Sequence, residues 1–288
     1  MEYQSVAEIA EKWKASERTV RNYCAQGRIP GAFLTGKTWN IPENAQRPER
    51  SNKHTDEPKT LLEYLKREKV GKVTGGIYHK VQIELTYNSN HIEGSRLTNT
   101  IGADSGTMNV DDIVETANHF KCIDMVIDQA NQPLSETFIK QLHLTLKNGT
   151  SDSRKDWFAV GEYKKLPNEV GGCNTAAPEE VSARIKELLR SYNAQKQKTL
   201  EEIIEFHYKF EAIHPFQDGN GRVGRLILFK ECLRNNIVPF IIDEELKMFY
   251  YRGLHEWKSE RGFLRDTCLT AQDKFKKYLD YFRIPYEQ

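Results

Sequence analysis

The chain has 288 residues, a length that fits one large domain or two unequal ones. Its 13 Phe and 13 Tyr exclude a disordered chain, and a formal charge of +1 excludes a global field for nucleic acid or membrane. No apolar run reaches spanning length and the opening MEYQSVAEIAEKWKA is not a secretory signal, so a cytoplasmic protein without a membrane partner is expected. Cys24, Cys122, Cys173, Cys232 and Cys268 are scattered with no C-x-x-C, which points to reduced thiols rather than a disulfide framework or metal cluster.

Residues 1–45 read as a small unit of their own. SVAEIAEKWKA spaces Val6, Ile9, Ala10 and Trp13 as a helix does, with Ser5 as its cap. SERTVRNYCAQG starts on a second cap, Ser16, and stops at Gly27. Phe33 and Leu34, then Trp39 and Ile41, flank TGK as a short hairpin. The segments IAEKWKASERTVRNYCAQGRIPGA and TGKTWNIP resemble the winged helix-turn-helix of the MerR and excisionase type. That resemblance implies a DNA partner, read by Arg18, Thr19, Arg21 and Asn22 of the second helix, with Lys37 at the wing tip on a phosphate. Seven Lys/Arg against five Asp/Glu in residues 1–48 make a weak basic footprint, and docking onto protein is the competing reading.

Residues 46–59 are polar, contain two prolines and lack periodicity, which is a linker. From residue 60 to residue 288 apolar residues recur every three or four positions almost throughout, so this part is expected to be all-helical. Asn109 or Asp111, Ser135 and Thr199 are its cap candidates. The exception is FAVGEYKKLPNEVGGCNTAAP, Phe158 to Pro178, rich in Gly and Pro with short β-like pieces, which suits a β-hairpin flap over a site.

The densest chemistry lies in IHPFQDGNGRVGR, Ile213 to Arg225. It contains a literal G-x-G-x-x-G, and Asp243 falls about where a dinucleotide fingerprint asks for an acid. The preceding EEIIEFHYKFEAIHPFQD, however, has charges at helical spacing and is not a buried parallel strand. Read as chemistry, Gly219, Asn220 and Gly221 place backbone N–H groups at a helix start, an anion cradle. Arg222 and Arg225, three apart, clamp two successive phosphates. Asp218 is an oxygen ligand suited to Mg²⁺, and His214 is a base that titrates near neutrality. Together these are what nucleotidyl transfer from a triphosphate needs. A capped helix start with a surface histidine explains each residue alone but poorly explains all of them together.

HPFQDGNGRVGR matches the Fic motif, H-P-F-x-[D/E]-G-N-G-R-x-x-R, at every defined position, so residues 60–288 resemble a Fic domain. The resemblance implies a mainly α fold and transfer of AMP from ATP, with Mg²⁺, to a Tyr, Thr or Ser hydroxyl of a protein. It implies that His214 is the general base, that Asp218 holds Mg²⁺, that Gly219, Asn220 and Gly221 form the anion hole, and that Arg222 and Arg225 contact the β- and γ-phosphates. GEYKKLPNEVGG resembles the Fic flap, which takes the target chain by strand addition, through Lys164, Asn168, Val170 and Gly171 here. Lys164 stands where that flap often has Arg. The retained GNGR differs from the related Doc kinases, which carry Lys in place of the second Gly, and so favours AMP over phosphate transfer.

A second segment, TYNSNHIEGSRLT, spaces Ser89 and Glu93 by one helical turn and ends at Gly94. On the residues alone it is a helix end with a solvated glutamate. It also matches the inhibitory motif [S/T]-x-x-x-E-[G/N] of Fic proteins that carry an upstream inhibitory helix, here about residues 77–94. That resemblance implies that Glu93 pairs with Arg225 and blocks productive ATP binding, or that it aligns a water for AMP removal. A regulator that binds DNA, with a Fic core that senses nucleotide or modifies itself, is the alternative. A homodimer is also expected, and the target protein is unnamed, self-modification included.

Overall fold

The structure, a computed structural model, describes residues 2–48, 57–95 and 109–286. The chain divides into two compact units, Met1–Glu57 and Pro58–Gln288. Of the expected linker, residues 49–56 lie outside the described part.

The first unit runs β1 (Tyr3–Gln4), α1 (Val6–Lys12), α2 (Glu17–Ala25), β2 (Phe33–Thr35) and β3 (Thr38–Pro42). Ser5 and Glu8 form a reciprocal capping box on α1, and Ser16 caps α2. The three strands are antiparallel in the order β1-β3-β2, with Phe33 opposite Asn40 and Tyr3 opposite Pro42. Val6, Ile9, Val20, Ile29 and Ile41 make its core.

The second unit is helical: α3 (Leu61–Gly71), α4 (Ile77–Ile92), α5 (Val110–Asp128), α6 (Glu136–Lys147), α7 (Pro178–Asn193), α8 (Leu200–Ile213), α9 (Asn220–Arg234), α10 (Lys247–Glu256) and α11 (Gly262–Phe282). Asn109, Ser135 and Thr199 act as caps, Thr199 in a capping box with Glu202. Between α6 and α7 the chain forms a hairpin of β4 (Glu169–Val170) and β5 (Cys173–Asn174). Its turn glycines, Gly171 and Gly172, both have positive φ, as a tight two-residue hairpin turn requires.

Helix α9 is the axis of this unit and packs against α4, α5, α6 and α8. Every residue from Arg222 to Leu233 is buried, whereas the spacing suggested a single apolar face. Such a helix can carry charges only if each has a partner. Lys230 donates to the carbonyls of Ala130 and Gln132 and to Glu231, and Glu231 also accepts from Tyr192.

Helix α10 carries Met248 and Phe249 on its exposed side, and α11 begins at Gly262. Among the described residues no helix is long and apolar enough to cross a membrane.

Candidate active site

The site is built where α8 stops and α9 starts. His214 caps α8 in the left-handed region (φ 51°, ψ 65°), and Pro215 follows, so the helix cannot continue. Gly219 takes φ 80° as the cap of α9, a conformation that favours glycine. The four residues between are clamped from two sides. Asn220 accepts from the Phe216 N–H and donates to its carbonyl, both at 2.8 Å. Phe216 is fully buried and lies flat on His143 at 3.9 Å between centroids. Burying that ring contributes about 1.5–3 kcal/mol to holding the loop.

His143, on α6, was not singled out from the sequence. Its Nδ1 accepts from the Gly161 N–H at 2.9 Å, so the proton sits on Nε2 and is donated to the Asp218 carbonyl at 3.1 Å. Burial holds it neutral, with a pKa of about 3. It therefore ties the segment before the hairpin to the motif loop.

The structure brings the motif side chains together with acids from other helices. Arg222 pairs with Glu115 of α5 and, at 3.2 Å, with Asp218. Lys147 of α6 is almost fully buried and reaches Glu115 (2.5 Å), Asp218 (2.7 Å) and Asp152 (3.1 Å). Burial would raise the half-exposed Asp218 carboxyl, but Arg222 and Lys147 outweigh it and hold it at about 2. Glu115 and Lys147 were missed. Their partners are 107 and 71 residues away, and each reads locally as an ordinary helical charge.

Arg225 is held by the end of α4. Its Nε donates to Ser89 Oγ at 3.0 Å, and its Nη2 donates to Ser89 O at 2.9 Å and to Glu93 Oε1 at 2.6 Å. Glu93 caps α4, and Gly94 follows with φ 94°. The Glu93 carboxylate lies over Gly221, where any Cβ would collide with Oε1. Tyr251 of α10 donates to the carbonyl of Ile92, the residue before Glu93, at 3.1 Å.

His214 is mostly buried, and its backbone N–H donates to Phe210 O. Burial first, then the nearby Lys164 ammonium, lowers its pKa to about 4, so the ring is neutral at physiological pH and has a lone pair to offer. Lys164 does not present its charge outward. Its Nζ donates to Asn168 Oδ1 and Thr175 Oγ1, each at 2.6 Å, and burial lowers its pKa to about 8. Its N–H donates to Pro215 O, and Asn168 Nδ2 donates to Phe216 O. These two residues thus bind the hairpin base to the motif loop, while Val170 is exposed at its tip.

In the first unit Arg18, Asn22 and Lys37 are exposed. Arg21, also exposed, pairs with Glu17, and the Thr19 hydroxyl is bonded to Ser16 in the cap of α2.

Residues 133–231 match the Fic/DOC family, a segment that contains the whole His214–Arg225 loop but not Ser89, Glu93 or Glu115. The chain is 30% identical over 125 residues to protein adenylyltransferase fic-1 of Caenorhabditis elegans, covering 42% of this chain and 25% of that protein. It is 26% identical over 164 residues to protein adenylyltransferase Fic of Drosophila melanogaster, covering 54% of this chain and 33% of that one. The chain thus spans between a quarter and a third of the length of these curated relatives. Among solved structures it resembles a Fic-domain-containing signaling protein of Bacteroides thetaiotaomicron at 26% identity and a TM-score of 0.60, covering 79% of this chain and 98% of that one. C. elegans Fic-1, at 18% identity and a TM-score of 0.55, shares the fold over 77% of this chain and 72% of that one. Residues 133–231 thus resemble a Fic/DOC domain, in a mainly helical setting, and protein adenylyltransferases are among the proteins the chain is similar to.

Proposed function

We propose that the protein is a protein adenylyltransferase that uses ATP and Mg²⁺ and is restrained by Glu93. The observation that carries this reading is the placement of a neutral His214 beside the free N–H end of a helix that also bears Arg222 and Arg225. His214 takes the proton of a Tyr, Thr or Ser hydroxyl as its oxygen attacks the α-phosphorus of ATP, and pyrophosphate leaves. Gly219, Asn220 and Gly221 donate backbone N–H groups to the charge that develops on the phosphates. Arg222 and Arg225 hold the β- and γ-phosphates.

No group of three His, Cys, Asp or Glu among the described residues could cage a metal ion. Mg²⁺ needs no such cage, since it is held by one or two carboxylates together with phosphates and water. Asp218, ionised and half-exposed, fits that requirement. When bound, Mg²⁺ neutralises charge on the leaving pyrophosphate.

A target segment adds as a strand along the β4–β5 hairpin, beside Val170 and Gly171. Glu93 on Arg225 occupies the γ-phosphate clamp, so ATP binds unproductively until the end of α4 withdraws. In this reading a further role of the same carboxylate is to align a water for AMP removal.

Intact-mass spectrometry of wild type and Glu93→Gly with ATP and Mg²⁺ tests the proposal. A gain of one AMP on the protein, larger in Glu93→Gly and absent once His214→Ala is added, is the expected result. Equal labelling of wild type and Glu93→Gly would remove the restraint, and a gain of phosphate or UMP would change the reaction. A second reading, DNA binding by the first unit, draws on the exposed Arg18, Asn22 and Lys37. Duplex affinity of the full chain that falls steeply with salt and weakens on Arg18→Ala would support it. Salt-independent or absent binding would leave that unit as a protein contact.

A further inference from the structure

Three buried side chains that the phosphate chemistry leaves unused lie between Arg225 and His214. Tyr250 of α10, 1% exposed, is near enough to Arg225 to feel its charge. Its hydroxyl lies 2.6 Å from His207 Nε2 on α8. His207 and Glu211, one turn apart, both face Gly224, where a Cβ would collide with Glu211 Oε1 and press on His207 Nδ1. Glu211 Oε2 is 3.9 Å from His214 Nδ1. Within this group, His207 Nδ1, Glu211 Oε1 and His214 Nδ1 are buried without a hydrogen-bond partner. Most buried polar atoms in folded proteins are bonded, so three unpaired ones on adjoining side chains demand an explanation.

We propose that Glu211 is the positioning residue of His214: its carboxyl accepts from His214 Nδ1–H through Oε2, donates from Oε1–H to His207 Nδ1, and so leaves the lone pair of the base on Nε2. This single proton arrangement satisfies all three atoms with a small adjustment of side chains. It needs a protonated Glu211, and burial supplies one, raising the carboxyl to about 8 against the pull of Arg225 and with the help of Glu93. It needs a neutral His207, and burial keeps that ring at about 3. With Nδ1–H fixed, the hydroxyl proton of the target has one acceptor, Nε2, and the resulting imidazolium keeps its second N–H bonded. Tyr250 feels the Arg225 charge at the far end of this run, so the clamp and the base are linked electrostatically.

The inference rests on the AMP-transfer reading for its kinetic consequence but not for its geometry. The full chain labelled with ¹⁵N-histidine reports the tautomer directly, with His214 assigned by its loss in His214→Ala. His214 in wild type is expected as the Nδ1–H form. Glu211→Gln, which keeps both an acceptor and a donor, is expected to preserve that form. Glu211→Leu, which keeps neither, is expected to lose it. In a Glu93→Gly background Glu211→Leu should lower kcat about tenfold or more with KM for ATP within about twofold, and Glu211→Gln should restore most of it. An Nε2–H His214 in wild type, or an unchanged tautomer in Glu211→Leu, would overturn the proposal. If Glu93→Gly transfers no AMP while wild type shows Nδ1–H, the adenylyltransferase reading fails and the placement of Glu211 stands.

Discussion

Glu93 and Arg225 are 132 residues apart in the chain and 2.6 Å apart in space. The guanidinium is buried, yet only one of its three bonds goes to the carboxylate, and Ser89 accepts the other two. Glu93→Gly should therefore cost less than the roughly 3–5 kcal/mol of a fully orphaned buried charge. The expected outcome is a modest fall in thermal midpoint together with a rise of at least about tenfold in self-labelling by ATP. Denaturation and labelling measured on one preparation separate the two effects, and a large stability loss without labelling would make Glu93 purely structural.

The restraint has a second fastening in Tyr251, whose hydroxyl holds the carbonyl just before Glu93. Removing a hydrogen bond of this kind is worth about 0.5–1.5 kcal/mol. Tyr251→Phe is expected to raise labelling a few-fold, well short of Glu93→Gly, with no further gain when the two are combined. Additive effects in the double variant would show that Tyr251 acts elsewhere.

Lys147 is the shared counter-charge of Glu115, Asp152 and Asp218. Lys147→Met would leave one cation, Arg222, facing Glu115 and Asp218. Breaking a buried pair on one side costs about 3–5 kcal/mol, and the expected result in urea is a loss of that order. A change below about 1 kcal/mol would show that Lys147 is solvated in solution.

Stability should peak near pH 6.5. His119, His143 and His207 are each lowered to about 3, by burial first. Below their unfolded pKa near 6.5 the unfolded chain binds more protons than the folded one, so stability is lost as pH falls toward 3. Glu211 has the opposite sign. Its pKa is raised by burial to about 8, so between about 4.5 and 8 the folded chain holds the extra proton and stability declines as pH rises. Below 6.5 these three histidines, joined by His214 at about 4, outweigh one glutamate, and just above 6.5 the glutamate dominates. Urea melts across pH 5–8 check this: Glu211→Gln should flatten the decline above 6.5 and steepen the rise below it.

The chemistry of His214 to Arg225 was readable because it is local, with cradle, clamps and base inside one turn and its flanking helix ends. Most helices were readable for the same reason, from apolar spacing and caps such as Ser135 and Thr199. What closes the site is not local. Glu115 sits in VETAN with nothing to mark it as buried, and only the packing of α5 on α9 puts it against Arg222. Glu93 was legible through resemblance alone, since by its own residues the end of α4 is a capped surface helix. Lys164 looked like an outward contact for a target chain, and the hydrogen bonds of Asn168 and Thr175 turn it inward.

Gly224 completes the sequence pattern that imitates a dinucleotide loop, but here it is a spacer. Helix α8 comes so near α9 that the space a methyl group would need is filled by Glu211 and His207. A residue larger than glycine at position 224 would thus require the Glu211 carboxyl to move out of its present place. Across related chains the two positions should vary together, so a serine or alanine at 224 should be accompanied by a shorter or apolar residue at 211. A comparison of sequences alone could read that exchange.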